Sequence, residues 1–163
     1  MPDRDISTAE RANMMRAVNL SLEKMRSNEG GPFGAVITRN GEVISEGWNQ
    51  VTSSNDPTAH AEVMAIRKAC EMLGTFSLEG CEIYSSCEPC PMCLSAIYWA
   101  RLDRLYFANS RDDAKAIGFD DAHIYEEVGK PVHERVIPTV HMHLPEAAAV
   151  FAEWHDKADK VEY

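Results

Sequence analysis

Three cysteines spaced three residues apart place the tightest restriction on how this chain can fold. They are Cys87, Cys90 and Cys93, in the segment SSCEPCPMC at positions 85–93. A predicted strand, CEIYSS, runs into this segment, and a predicted helix begins within it at CPMCLSAIYWAR. The three thiols therefore lie at the junction between a predicted strand and the following predicted helix. There they can serve as a redox pair, a structural metal site or part of a catalytic site.

A second motif, HAE at positions 60–62, narrows these alternatives. A C-x-x-C pair alone is compatible with a thioredoxin-like redox site, and four soft ligands would form a closed structural zinc site. Neither alternative explains a histidine followed two residues later by a carboxylate. His60, Cys90 and Cys93 supply three ligands, which leave one position of a tetrahedral zinc ion open, as in catalytic sites.

Both motifs are predicted to lie where a helix begins. Residues two apart do not share a face inside a helix, so His60 and Glu62 can converge only near its first turn. Pro91 suits the first turn of the next helix, which carries Cys90 and Cys93. The positive ends of two helix dipoles then favour the thiolates and a hydroxide on the same ion.

Glu62 is the predicted acid–base group of this site. One imidazole and two thiolates leave the zinc centre formally neutral, so a carboxylate with no ligand duty is expected to take a proton from the metal-bound water and return it. This chemistry suits hydrolytic replacement of an amino group on an electron-poor ring carbon. The order H-x-E…P-C-x-x-C, completed here by Pro89, is the signature of zinc nucleobase deaminases.

The charge balance disfavours a nucleic-acid partner. The 163 residues carry 26 acidic and 16 basic side chains, a net charge of −10, without a lysine or arginine cluster. Because such a surface repels phosphate backbones, the predicted substrate is a small, preferably uncharged molecule. The opening MPDRDISTAE does not resemble a secretory signal and no apolar run would span a membrane, which predicts a cytoplasmic protein with no membrane partner. Five cysteines in a reducing compartment argue against disulfides.

The order of predicted elements favours one α/β domain over residues 1–163, with a mixed sheet flanked by helices. Asn40-Gly41 predicts a hairpin turn, and the strands at 81–86 and 102–110 should be parallel because a helix connects them. The segment RVIPTVHMHL, residues 135–144, is predicted as a later strand. Helices are predicted for the opening segment, with Ser7 and Glu10 as a capping box, for 55–74, capped by Asp56 or Thr58 and ended by Gly74, and for 90–101, 112–118 and 145–160.

Longer segments extend the motifs to a family resemblance. GGPFGAVI, SNDPTAHAEVMAIRKAC, SCEPCPMCLSAIYWAR and AIGFDDAHIY, together with the terminal tyrosine, resemble the bacterial guanine deaminases of the cytidine-deaminase-like fold. The likeness extends from about residue 10 to Tyr163. The zinc motifs are shared with cytosine, cytidine and tRNA-adenosine deaminases, so GFDD and the final tyrosine discriminate among them. The resemblance implies a three-layer α/β/α fold with a central mixed five-stranded sheet.

The resemblance also implies roles for individual residues. One zinc ion per subunit would be held by the three ligands named above, with a hydroxide attacking C2 of guanine to give xanthine and ammonia. Asp121 would contact the reacting amino group and assist its departure, and Tyr163 would close the pocket of a partner subunit. The protein would be a homodimer that exchanges a C-terminal segment of about residues 140–163. The other implied substrate-binding residues are Asn49, Phe33, Ala61, Trp99 and Phe119.

Several alternatives stay open at this point. The zinc residues fit equally a deaminase of guanosine, cytosine or ammeline, and, against the charge balance, a tRNA-adenosine deaminase. A zinc-stabilised interaction domain without activity is the non-enzymatic alternative. Cys87 is interpreted as a buried neighbour of the site rather than a ligand. His141 and His143 would face the same side of a strand, but no third ligand for a second metal is evident.

Overall fold

The computed structural model describes residues 5–163 of the chain. The first four residues of MPDRDISTAE, on which the prediction of no secretory signal partly depends, lie outside this range. The described residues form two compact units, 5–125 and 126–163. The prediction of a single domain over the whole chain stays a prediction.

The chain contains both helices and strands, as expected for an α/β protein. The strands are β1 (Gly34–Arg39), β2 (Glu42–Trp48), β3 (Cys81–Cys87) and β4 (Arg104–Asn109). The helices are α1 (Thr8–Arg26), α2 (Val51–Ser54), α3 (Ala61–Leu73), α4 (Pro91–Trp99), α5 (Arg111–Ala116), α6 (Ala122–Gly129) and α7 (Pro145–Asp156), with a short 3-10 helix at Val132–Glu134.

The sheet is mixed and has the strand order β2-β1-β3-β4. β1 pairs antiparallel with β2 and β3, whereas β4 pairs parallel with β3, as the connecting helix predicts. The prediction of five strands is wrong, because the described part of the chain has four and residues 135–144 form no strand. Pro138 lies inside that segment and has no N–H to donate to a neighbouring strand.

The β1–β2 hairpin turns at the predicted dipeptide. Asn40 and Gly41 have φ angles of 52° and 83°. A type I′ turn needs two residues in the left-handed region, and Asn-Gly tolerates it best. The local sequence therefore sets the register that brings β2 beside β1.

Helices cover both faces of this sheet. One face carries Ala35, Ile37 and Ile83, which pack in a buried cluster with residues of α3 and α4, among them Ala65 and Ile97. The opposite face carries Val36 and Tyr84, which pack against Ala17 of α1. Strand residues alternate between the two faces, so the three-layer α/β/α arrangement follows from the apolar pattern on both sides of the strands.

Close contact between α3 and the sheet depends on a glycine. A Cβ added at Gly47 of β2 would lie 2.2 Å from the carbonyl oxygen of Ala61 and 2.4 Å from the amide nitrogen of Ala65. Only glycine avoids these clashes. The first turn of α3 is thereby held directly against the strand.

Two of the predicted helix ends are confirmed and one is wrong. Ser7 and Glu10 form the capping box of α1, and Gly74 ends α3 in the left-handed conformation. However, α3 begins after His60 rather than after Asp56 or Thr58. Oδ1 of Asp56 accepts hydrogen bonds from the amide and hydroxyl of Thr58, at 2.8 and 2.7 Å, which forms a separate turn before the helix.

Large apolar side chains are exposed in the unit of residues 126–163. Val136, Ile137, Val140 and Phe151 are each between 78% and 82% exposed. Within residues 5–163, no helix is both long and apolar enough to cross a membrane.

Candidate metal centre and pocket

Two helix N-termini position the three predicted ligands. His60 is the N-cap of α3 and Cys90 is the N-cap of α4, both with extended backbone conformations, and Cys93 lies in the first turn of α4. Pro91 occupies the first position of α4, where its missing N–H costs nothing. The strand β3 ends at Cys87, so the loop that follows carries the cysteine pair to the beginning of α3.

The spacing of the three ligand atoms fits a tetrahedral zinc ion. Nδ1 of His60 lies 3.6 Å from Sγ of Cys90 and 3.4 Å from Sγ of Cys93. Zinc with ordinary bond lengths would separate its nitrogen and sulfur ligands by about 3.6 Å. Among residues 5–163, this is the one group of His, Cys, Asp and Glu side chains close enough to hold a metal, so a second site at His141 and His143 has no support.

The electrostatics of the group also suit a cation. The pKa of Cys90 is lowered to about 4, chiefly by its hydrogen bond with the Cys93 thiol and also by hydrogen bonding with the His60 ring. Hydrogen bonding to Cys90 also raises the pKa of His60. The pKa of Cys93 is raised because it holds the shared proton and is buried. A metal ion that takes both sulfurs as thiolates must therefore displace a proton from Cys93.

Glu62 lies beside these ligands in a buried position. Its side chain is only 7% exposed, and burial is the main cause that raises its pKa. The hydroxyl of Ser85, in β3, donates a hydrogen bond to Oε1 of Glu62 at 3.2 Å. A carboxyl group with a raised pKa near a metal can both accept and return a proton.

A cavity of about 680 Å³ opens onto this centre. Its lining includes His60, Glu62 and Cys90, which form the chemically reactive end. The cavity is also lined by Asp121, predicted as catalytic, and by three of the predicted substrate-binding residues, Asn49, Phe33 and Phe119. The structure thus brings most of the predicted site residues together in the unit of residues 5–125.

Aromatic rings and an amide shape the cavity. Phe33 and Phe119 meet edge to face, with ring centroids 4.8 Å apart. Asn49 is buried, and its Oδ1 accepts hydrogen bonds from the amides of Gly31 and Val51 at 3.1 and 3.2 Å. These two bonds fix the orientation of the side chain, so its amide nitrogen is the end that can donate to a ligand.

The acidic pair Asp120-Asp121 divides into two environments. Asp120 is exposed, pairs with Nζ of Lys115 at 3.3 Å and accepts a hydrogen bond from the amide of Ala122 at 3.0 Å. Asp121 is partly buried, and that burial, together with the charge on Cys90, raises its pKa. Both residues line the cavity, but Asp120 is bonded to residues of α5 and α6, whereas the pKa of Asp121 responds to the charge of the ligand Cys90.

Two predicted residues lie outside this cavity, and a third belongs to the other unit. Trp99 is the last residue of α4 and is 64% exposed. It is not among the described residues that line this cavity. The side chain of Ala61 is fully buried in the core instead of lining the cavity. Tyr163 belongs to the unit of residues 126–163. Their roles in substrate binding stay predictions.

The structure also adds residues that sequence reasoning did not identify. Glu88, Met92 and Arg111 line the cavity, as does Cys87. Burial raises the pKa of Cys87 to about 11, so it is a neutral thiol in the wall, in agreement with its interpretation as a neighbour. Strand alternation places Ser85 on the same face of β3 as Cys87, two residues later, but it does not identify the bond from Ser85 to Glu62.

Comparisons with known proteins agree with this geometry. Residues 8–109 match the cytidine and deoxycytidylate deaminase zinc-binding region. The chain is 53% identical over 150 residues to a guanine deaminase of Bacillus subtilis, covering 92% of this chain and 96% of that protein. An X-ray structure of guanine deaminase from Bacillus subtilis superposes with a TM-score of 0.92 at 51% identity, covering 97% of this chain and 99% of the other.

A more distant relative has a name that specifies a nucleic-acid substrate. The chain is 37% identical over 137 residues to a tRNA-specific adenosine deaminase of Aquifex aeolicus, covering 83% of this chain and 88% of that protein. The zinc residues alone therefore do not distinguish small-molecule from tRNA substrates.

Proposed function

Because the chain belongs to the cytidine and deoxycytidylate deaminase family and, within it, to the guanine deaminases, we propose that it hydrolyses guanine to xanthine and ammonia. One observation carries the proposal above all. The ligand triad His60, Cys90 and Cys93 lies at the end of a cavity with the buried carboxyl group of Glu62 beside it. Three ligands leave a fourth position for solvent, which a structural zinc site would not offer.

His60, Cys90 and Cys93 would hold one zinc ion per subunit. Bound there, zinc lowers the pKa of a water molecule toward neutrality and so supplies the nucleophile. The helix dipoles of α3 and α4 stabilise the negative charge that collects at this point.

Glu62 would move the protons of the reaction. Its carboxylate takes one proton from the attacking water and passes it to the ring nitrogen as the new C2–O bond forms. Glu62 then carries the second proton of that water from the new hydroxyl to the amino group, the C2–N bond breaks, and ammonia leaves while the oxygen stays on xanthine as the C2 carbonyl. Burial raises the pKa of Glu62, which makes its acid form easier to populate between these steps.

The cavity wall would orient the base. Phe33 and Phe119 offer apolar faces against which a planar purine can lie. The fixed amide of Asn49 would donate to a ring acceptor, and Asp121 would accept from the exocyclic amino group that is to leave. These contacts would place C2 toward the metal.

A second copy of the chain is the proposed partner. The unit of residues 126–163 exposes several large apolar side chains, which a protein working alone would leave in water. We propose that residues from about 140 to 163 exchange across a homodimer, with Tyr163 closing the partner's pocket. None of the five cysteines is in a disulfide, which supports the proposal of a cytoplasmic protein.

Product analysis tests the proposed function directly. Purified protein of known zinc content is incubated separately with guanine, guanosine, cytosine, ammeline and tRNA, and products are separated by chromatography. We expect xanthine and ammonia from guanine, and little turnover of guanosine because a closed pocket excludes ribose. Ammonia from cytosine alone, or salt-sensitive binding of tRNA with turnover of its adenosine, would contradict the proposal in favour of another deaminase.

A further inference from the structure

Tyr125 connects α6 to the loop that carries the metal ligands. Its hydroxyl donates a hydrogen bond to the carbonyl oxygen of Pro89 at 2.7 Å, across 36 residues of sequence. Pro89 is fully buried and directly precedes Cys90. The bond therefore joins the fourth residue of α6 to the backbone immediately before a metal ligand.

Arg111 holds the ring of Tyr125 from the other side. Its guanidinium carbon lies 4.4 Å from the ring centroid, a cation–π contact. Nε of Arg111 lies 3.3 Å from Oε1 of Glu88, and the Arg111 amide donates to Oε2 of the same carboxylate at 3.1 Å. Glu88 and Pro89 are consecutive, so Tyr125 and Arg111 contact two adjacent points of the same loop.

The first turn of α6 links Tyr125 to Asp121. The carbonyl oxygen of Asp121 accepts hydrogen bonds from the amides of Ile124 and Tyr125, at 2.9 and 3.2 Å. Asp121 and Tyr125 are thus the two ends of one hydrogen-bonded turn. Fixing the Tyr125 hydroxyl on Pro89 also fixes the backbone from which the Asp121 carboxylate reaches the cavity.

We propose that Tyr125 is a positioning residue, which sets the distance between the Asp121 carboxylate and the metal-ligand loop through its hydrogen bond to Pro89. The inference deepens the proposed function and rests on it, because it assumes that Asp121 contacts the reacting amino group. Asp121 and the metal-ligand loop come from segments about 30 residues apart in sequence. A direct hydrogen bond between these segments would keep the reacting groups at a fixed distance.

Tyr125→Phe removes the hydroxyl and keeps the ring that contacts Arg111. We expect kcat for guanine to fall on the order of 10-fold. Zinc content should be unchanged, and the thermal midpoint should fall slightly because the carbonyl of the buried Pro89 loses its donor. Tyr98→Phe is the matched control, since Tyr98 is 77% exposed on α4, and it should leave kcat unchanged. A wild-type kcat in Tyr125→Phe, or a lower thermal midpoint without loss of kcat, would overturn the positioning role.

A double-mutant cycle separates this role from a general defect. If Tyr125 acts through Asp121, Tyr125→Phe should cause no further loss in an Asp121→Ala background. Equal fold-losses in both backgrounds would overturn the proposal.

A crystal structure of Tyr125→Phe gives a readout that does not depend on turnover. We expect the first turn of α6, and Asp121 with it, to shift away from Pro89, while an unmoved Asp121 would overturn the proposal. Wild-type turnover of guanine in the same assays tests the proposed function by itself, so its failure is distinguishable from failure of the positioning role.

Discussion

His60 and Glu62 reach the same point although residues two apart normally diverge on a helix. The structure explains this by the conformation of His60, whose φ and ψ of −73° and 155° are extended. Its side chain leaves the backbone before the helical turn begins, whereas Glu62 projects from inside the first turn. One predicted ligand and one proposed proton carrier thus come from three consecutive residues.

The role of Glu62 predicts a variant that binds metal and does not turn over. Glu62→Gln should retain zinc and fold, because Glu62 is not a ligand, and kcat should fall by at least about 100-fold because the proton carrier is lost. Zinc analysis, circular dichroism and an ammonia assay check the three parts of this statement. Retained turnover in Glu62→Gln would refute the assigned role.

The hydroxyl of Ser85 is expected to hold Glu62 in place. Ser85→Ala removes its hydrogen bond to Oε1 of Glu62, and kcat should fall about 5-fold if a bond of about 1 kcal/mol favours the reactive rotamer. Ser86→Ala is the matched control, because the Ser86 hydroxyl accepts a hydrogen bond from the Gly34 amide instead. Both variants should lose similar stability in urea unfolding, and an equal loss of kcat in both would contradict the role of Ser85.

At the scale of elements, an ion pair connects α1 to β2. Arg16 donates two hydrogen bonds to the carboxylate of Glu46, at 2.6 and 2.7 Å. The bond from Arg16 is the main cause that lowers the pKa of Glu46. Both side chains are partly exposed, so the pair should contribute no more than about 1 kcal/mol.

This pair predicts a pH-dependent effect of Glu46→Gln. Because the folded pKa of Glu46 is lowered, its stabilisation is present above the unfolded carboxyl pKa of about 4.3 and is lost as pH falls through the lowered value. Glu46→Gln should therefore unfold at lower urea than wild type at pH 7, and the difference should narrow in acid. Glu23→Gln is the control, since Glu23 contacts Arg16 at 3.4 Å but is 57% exposed. A difference that widens in acid would contradict this account.

Local signals in the sequence predicted the elements whose cause is local. The capping box at Ser7 and the turn at Asn40-Gly41 depend on neighbouring residues only, and both are confirmed. Residues 135–144 were predicted as a strand, yet a strand also needs a neighbouring strand with which its backbone N–H and C=O groups can pair, and the local sequence does not determine that neighbour. Asp56 and Thr58 were both suitable N-caps by residue type. They instead bond to each other in a turn, and α3 begins after His60.

The metal ligands could be predicted because their spacing matches a known zinc motif. The hydrogen bonds that hold the site in place could not. His60, Cys90 and Cys93 follow a motif whose order implies convergence, and the ligand atoms do converge. Ser85 and Tyr125 form hydrogen bonds with residues that are distant in sequence, at separations of 23 and 36 residues. Such contacts are visible only after the strands and helices have been placed.

At the scale of the molecule, the net charge of −10 agrees with a small neutral substrate. Guanine carries no phosphate, so an acidic surface does not repel it, whereas tRNA would meet repulsion along its backbone. Because the relatives include tRNA deaminases, the family alone does not distinguish guanine from tRNA as the substrate. The acidic net charge and the residues that line the cavity are the features that favour guanine.

Exchange of C-terminal segments can be tested by complementation. Glu62→Gln lacks the proton carrier, and Tyr163→Ala lacks the proposed lid residue, so each homodimer should be nearly inactive. When the two variants are unfolded and refolded together, mixed dimers contain one site with both groups, which should restore about a quarter of wild-type activity. No recovery of activity from well-folded mixed dimers would contradict the exchange.

Zinc titration of the metal-free protein tests the central claim most directly. Chelator-treated protein is given increasing zinc, and release of ammonia from guanine is followed together with bound metal. We predict that activity rises in proportion to bound zinc up to one ion per chain, and that Cys90→Ser fails to respond while the control Cys70→Ser behaves as wild type. Full activity in protein that holds almost no metal, or an undiminished response in Cys90→Ser, would contradict the account.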